Sequence, residues 1–161
     1  MRLIIFVIIL TALDQISKAV IVRHIALYEE VPCIGHFFSF CHFRNRGAAW
    51  GFLGNTHSGF YLLSVLSFLI SIFLIYLIRQ LKHRGMQYAL SLILAGSIGN
   101  LLDRLLRGSV VDFLLFHFGT YSFPAFNLAD SCICIGAFLA AFFILFSQDL
   151  RHEFFQSREG H

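Results

Sequence analysis

Phe60-Tyr61-Leu62-Leu63-Ser64-Val65-Leu66-Ser67-Phe68-Leu69-Ile70-Ser71-Ile72-Phe73-Leu74-Ile75-Tyr76-Leu77-Ile78 runs for nineteen residues without a charge. A helix rising about 1.5 Å per residue nearly crosses the ~30 Å hydrocarbon core over that length. The composition agrees with a membrane reading: of 161 residues 58% are hydrophobic and 13% charged, and mean hydropathy is +0.76. These values lie outside the soluble range. Twenty Phe exceed what a small bundle core needs, so many are expected to face lipid or its interface. A net charge of +3, with no long basic run, gives no argument for nucleic acid.

Three weaker spans surround this one. The expected fold is membrane α-helical, with four transmembrane helices at about 3–22, 60–78, 87–106 and 127–147 and a small extracytoplasmic β platform and loop. All 161 residues are read as one domain, with a polar, frayed tail from Leu150. The first span looks like a secretory signal, but no small-residue cleavage site follows and Asp14 and Lys18 interrupt it. A retained anchor is the better reading. The loop carrying Arg79, Lys82 and Arg84 has no acid and is expected to be cytoplasmic, together with both termini. By total Lys and Arg the two sides differ only as six to five, so the density of this short loop decides.

The opposite side then receives residues 23–59 and 107–126. Phe37-Phe38-Ser39-Phe40-Cys41-His42-Phe43 is short, aromatic and β-prone. Phe116 to Phe123 reads as a hairpin around a II′-type Gly119-Thr120 turn. Together they suggest a platform lying at headgroup depth.

The polar residues inside the apolar segments carry the chemistry. Asp14 and Lys18, four apart, form a helix-face pair in acid-before-base order. Counting along the span places Asp14 near mid-bilayer, and a self-neutralised structural pair is the preferred reading. Gly96, Asn100, Asp103 and Arg107 recur at helical spacing. Their small residue invites a neighbouring helix, and Asp103, with Arg104 beside it, reads as part of a hydrogen-bonded support.

Asp112 and Asp130 resist such readings. A lone buried carboxylate costs several kcal/mol or more, so it finds a cation, binds a proton or serves function. Asn127-Leu128-Ala129-Asp130 resembles a capping box, and a helix start favours negative charge at Asp130. Asp112, in Val110-Val111-Asp112-Phe113-Leu114-Leu115, has no such role, and burial should raise its pKa. Both belong at the same membrane face, one after the third span and one opening the fourth. Two carboxyl groups brought together can share one proton, the working state of an aspartyl protease.

The four cysteines form no C-x-x-C motif. A Cys33–Cys41 disulfide fits an oxidising compartment, but ordinary thiols are the preferred reading. The eight His have no metal spacing, so neither a metal nor a cofactor is expected.

Five blocks together resemble the lipoprotein signal peptidase (signal peptidase II) family of bacterial inner-membrane aspartyl proteases. They are Asp14-Gln15-Ile16-Ser17-Lys18, Asn45-Arg46-Gly47-Ala48-Ala49, Gly96-Ser97-Ile98-Gly99-Asn100-Leu101-Leu102-Asp103-Arg104, Val111-Asp112-Phe113 and Phe126-Asn127-Leu128-Ala129-Asp130, in the family's order. The resemblance implies that Asp112 and Asp130 are the catalytic pair. It implies supporting or substrate-binding roles for Asn45, Gly96, Asn100, Asp103, Arg104, Asn127 and Ala129, and structural roles for Asp14 and Lys18. Ala95 stands where the family usually has Gly, and Trp50 where Phe is usual, which bears on pocket shape.

The implied substrates are diacylglyceryl-modified prolipoproteins, cut on the amino side of the lipidated Cys, with membrane lipids as the other partners and the enzyme acting as a monomer. The alternative is a small proton- or ion-coupled transporter using the intramembrane acids. It would spread them through the membrane depth, whereas only Asp14 reads as deep. A non-enzymatic scaffold would leave Asp112 as an unexplained cost.

Overall fold

The computed structural model describes residues 1–47 and 57–147. The readings on Ala48, Ala49, Trp50 and the polar tail fall outside these residues. Among the described residues, four helices are long and apolar enough to cross a bilayer: α1 (Arg2–His24), α2 (His57–Gln80), α3 (Arg84–Arg107) and α4 (Leu128–Phe146). Four strands complete the described residues: β1 (Glu30–Ile34), β2 (Phe38–Asn45), β3 (Val110–Phe118) and β4 (Tyr121–Ser122).

The helices divide by burial. Most of α3 is buried, whereas α1, α2 and α4 turn Ile, Leu and Phe outward along their length. The low apolarity of α3 follows from this: it packs on α1, α2 and α4, so its small and polar residues meet protein and need not meet lipid. Val7, Leu74, Met86, Ala89, Leu90, Leu94, Ala95 and Ala140 form the apolar core of one half of the bundle. Ala95, the departure from the family pattern, sits in this core. Along the α2–α3 seam, Ser71 donates to Ser97 and Ser97 to the Ser67 carbonyl, each at 3.2 Å.

The strands form one antiparallel arrangement in the order β1-β2-β3-β4. Strand β1 was not among the expected elements; its Pro32 is tolerated since β1 lies at the sheet edge. Strand β3 starts earlier than the expected hairpin and carries Asp112. Gly108, at φ +69, ends α3 in the left-handed region and lets β3 begin two residues later. The β3–β4 turn is Gly119-Thr120, with positive φ at Gly119 and not at Thr120, as a II′ turn requires. Stacked and edge-on rings of Phe37, Phe38, Phe116, Phe123 and Phe126 bind the strands together. The end of α1 joins this layer through Ile21, which packs with Val111 and Phe113.

Candidate active site

Asn127 lies in extended backbone and caps α4. Its Oδ1 accepts the Asp130 N–H at 2.9 Å, and Asp130 Oδ2 accepts the Asn127 N–H at 3.2 Å. This reciprocal box satisfies two of the helix's orphan donors. Capping accounts for only one Asp130 oxygen, however. The other accepts Asn100 Nδ2 from α3 at 2.7 Å.

Asp112 is buried on β3. Its Oδ1 accepts Asn127 Nδ2 at 2.8 Å and its Oδ2 accepts Asn45 Nδ2 at 3.1 Å. Asn127 therefore holds Asp112 with one end of its amide and caps the helix bearing Asp130 with the other. Each of the four carboxyl oxygens accepts one amide or backbone N–H, leaving each a further lone pair for a proton, water or substrate. Burial, and next the charge of Asp130, push Asp112 up to about 7 against the opposing bonds from Asn45 and Asn127. A carboxyl group in that range can hold a proton at neutral pH.

Asn45 reaches this site through an irregularity in β2. Phe40 opposes Leu114 while Phe43 opposes Asp112, so β2 holds one residue more than β3 between those pairs. The bulge shifts the side-chain alternation by one. Cys41 and His42 are consequently both buried, and Asn45 lands on the Asp112 face.

A second polar layer backs the first. Lys18 donates to Asp14 Oδ2 and Asp103 Oδ2, both at 2.9 Å, and all three side chains are essentially inaccessible. Asp14 Oδ1 accepts the Ala129 N–H at 3.0 Å. Asp103 also accepts the Val111 N–H at 3.1 Å and pairs with Arg107. The expected Asp14–Lys18 pair is thus one side of a larger network. Arg107, one turn along α3 and on the expected polar stripe, is the arginine that pairs with Asp103, while the sequence neighbour Arg104 turns toward α2.

Through its bond to the Ala129 N–H, Asp14 is level with the first turn of α4. Helix α1 runs ten residues past it to reach the sheet.

Two glycines permit the close approach. A Cβ on Gly96 would collide with the Ala129 carbonyl, and one on Gly99 would lie 2.6 Å from Asp14 Oδ2. Arg104 is buried beside α2, donating weakly to Ser67 Oγ at 3.5 Å and the Asn100 carbonyl at 3.4 Å. Its Nε has no hydrogen-bond partner among the described residues, and the charges of Asp130, Asp112 and Asp103 act on it.

Apart from Arg104, which turns toward α2, every expected site residue lies in one of these two layers or lines their contact. Sequence reasoning overlooked Gln15, which donates to Asp103 at 3.3 Å and accepts from Arg107 at 2.8 Å. An amide inside an apolar span was the available signal. Cys41, whose thiol points at the Asp112 carbonyl at 3.8 Å, gave none. It and Cys33 are both free thiols, one buried and one exposed.

The same architecture occurs in known proteins. A family model described as signal peptidase (SPase) II matches residues 5–146. A lipoprotein signal peptidase of Syntrophotalea carbinolica is 42% identical over 127 residues, covering 78% of this chain and 79% of that one. A lipoprotein signal peptidase of Geobacillus kaustophilus is 45% identical over 129 residues, covering 79% and 82%. A bacterial membrane enzyme solved by the in meso method superposes with a TM-score of 0.79 at 34% identity, covering 89% of this chain and 87% of that one. With four apolar helices, a short antiparallel sheet and this match over nearly its whole length, the chain belongs to the signal peptidase II family, multi-pass membrane proteases of the aspartyl type.

Proposed function

We propose that this chain removes signal peptides from lipoprotein precursors, cutting on the amino side of a cysteine that already bears a diacylglyceryl group, with Asp112 and Asp130 as the catalytic pair. The single observation that carries the assignment is Asn127, whose amide bonds Asp112 while capping the helix of Asp130. A structural network needs no such convergence on two acids that lack a direct salt bridge to a cation among the described residues.

In this reading the pair holds one proton. The ionised aspartate takes a proton from a bound water, which attacks the scissile carbonyl. The protonated aspartate hydrogen-bonds the carbonyl oxygen as negative charge develops, and a proton then passes to the leaving amine. Asp112, pushed up to about 7, suits the proton-holding role. Arg104, buried with an unsatisfied Nε, is suited to donate to a carbonyl or ester oxygen of the substrate. The transporter alternative would separate Asp14 from the other acids, whereas Asp14 bonds the Ala129 N–H in the turn that carries Asp130.

The Arg79–Lys82–Arg84 loop supports an inner-membrane protein with both termini cytoplasmic and the site at the outer face. The substrate, anchored by its acyl chains, then arrives laterally, and the enzyme works as a monomer in one 161-residue domain. The test is cleavage of a diacylglyceryl-modified precursor by purified protein. Asp112→Asn and Asp130→Asn are each expected to abolish turnover while leaving the protein folded, and a chelator to leave the wild-type rate unchanged. Cleavage by either folded variant would remove the pair.

A further inference from the structure

All three asparagines of the site present their NH2 to a carboxyl group, and each does so because a donor occupies the other end of its amide. Asn45 Oδ1 accepts the Gly47 N–H at 2.9 Å, and Asn127 Oδ1 accepts the Asp130 N–H at 2.9 Å. Asn100 Oδ1 accepts Lys18 Nζ at 3.0 Å. A backbone N–H and an ammonium can only donate, so the amide oxygen turns to each and the NH2 turns away. For Asn45 and Asn127 the pin is backbone two or three residues distant. For Asn100 it is a side chain from another helix.

We propose that Lys18 is a positioning residue for hydrolysis, fixing the Asn100 amide so that Nδ2 donates to Asp130 Oδ1. The inference rests on the Asp112–Asp130 reading. Two of the three N–H groups of Lys18 serve Asp14 and Asp103, and the third goes to Asn100. Without that donor only the longer bond from Asn127 Nδ2, 3.2 Å, opposes rotation of the Asn100 amide. The rotated amide sets oxygen against oxygen at Asp130, unless the shared proton moves onto Asp130 Oδ1. There it faces Asn100 and not the substrate, and the pair loses the proton it must deliver. Lys18 thus acts on chemistry through one intermediary, in addition to neutralising its acids.

The test separates donor from charge, using full-length protein and a synthetic precursor peptide bearing a diacylglyceryl cysteine. Lys18→Met with Asp14→Asn removes one charge of each sign, and the amide oxygen so introduced on α1 can still accept the Ala129 N–H. This variant is expected to melt close to wild type, with kcat lower by on the order of 10- to 100-fold and KM within about twofold, since the interaction serves the transition state and not binding. Lys18→Gln with Asp14→Asn restores an N–H without charge and should recover part of kcat.

Asn100→Ala alone should lose kcat similarly, and adding it to the Lys18→Met pair should cost little more, because residues acting in series are not additive. Wild-type kcat in the folded Lys18→Met pair, or losses that multiply, would overturn the proposal. Should the Lys18 variants fail to fold, Asn100→Ala decides: wild-type kcat there overturns it. Inert Asp112→Asn and Asp130→Asn proteins beside a fully active Asn100→Ala would sink this inference and leave the catalytic pair standing, whereas cleavage by the aspartate variants would sink the pair itself.

Discussion

Asn45 and Asp112 meet on one face of the sheet because β2 holds one residue more than β3 between Phe40 and Phe43. Unbulged pairing of the same sequence would turn Arg44 to that face and Asn45 away. Asn45→Ala leaves Asp112 Oδ2 without its donor, and kcat is expected to fall on the order of 10- to 100-fold with the fold intact. Steady-state kinetics on the purified variant check this, and unchanged kcat would show the contact to be dispensable.

The pH dependence follows from Asp112, whose carboxyl is raised from an ordinary 3.8 to about 7. Below about 7 it holds a proton; above, Asp112 is charged and the hydrogen bond to the scissile carbonyl is lost. The kcat/KM profile should therefore fall on its alkaline side from about pH 7.

Stability carries the same sign. A carboxyl raised by folding binds more protons native than unfolded, so its contribution is full below 3.8 and is lost as pH rises through about 7. Asp112→Asn should gain thermal stability relative to wild type across that window and hold the gain above it. Melting curves of both proteins from about pH 3 to about pH 8, bracketing the two values, test this, and a constant difference would contradict it.

Gly96→Ala sets a methyl against the backbone carbonyl of Ala129, which cannot rotate away as a side chain does. Overpacking of this kind costs about 1–3 kcal/mol, and here it also displaces the turn that carries Asp130. A lowered melting temperature together with lost cleavage is expected. A variant that melts and cuts like wild type would mean that α3 and α4 separate freely.

The cysteines offer a test without catalysis. Burial, followed by the charges of Asp112 and Glu30, pushes the Cys41 thiol up to about 12, while Cys33 is exposed. A water-soluble maleimide should modify Cys33 in the native protein and reach Cys41 only on denaturation. Mass mapping of the labelled peptides reads this directly, and native labelling of Cys41 would contradict its burial.

The four spans were legible because lipid solvates only apolar side chains, and Asp112 and Asp130 because a buried carboxylate has few innocent explanations. Asn127 was legible as a cap, and its grip on Asp112 was not, since that depends on where β3 lies. The bulge had no signal: Phe38-Ser39-Phe40-Cys41-His42-Phe43 contains no glycine to mark it. Edge strand β1, short and exposed, offered no alternation to read. The bond of Asp14 to the Ala129 N–H was not legible, because it depends on how α1 and α4 pack.

The two proposed catalytic aspartates lie on opposite sides of the final connection, one on β3 and the other in the first turn of α4. A growing chain accordingly possesses half a protease until α4 enters the membrane. Asn127 arrives with that helix, so competence awaits it. An unfinished chain has no means of cutting its neighbours.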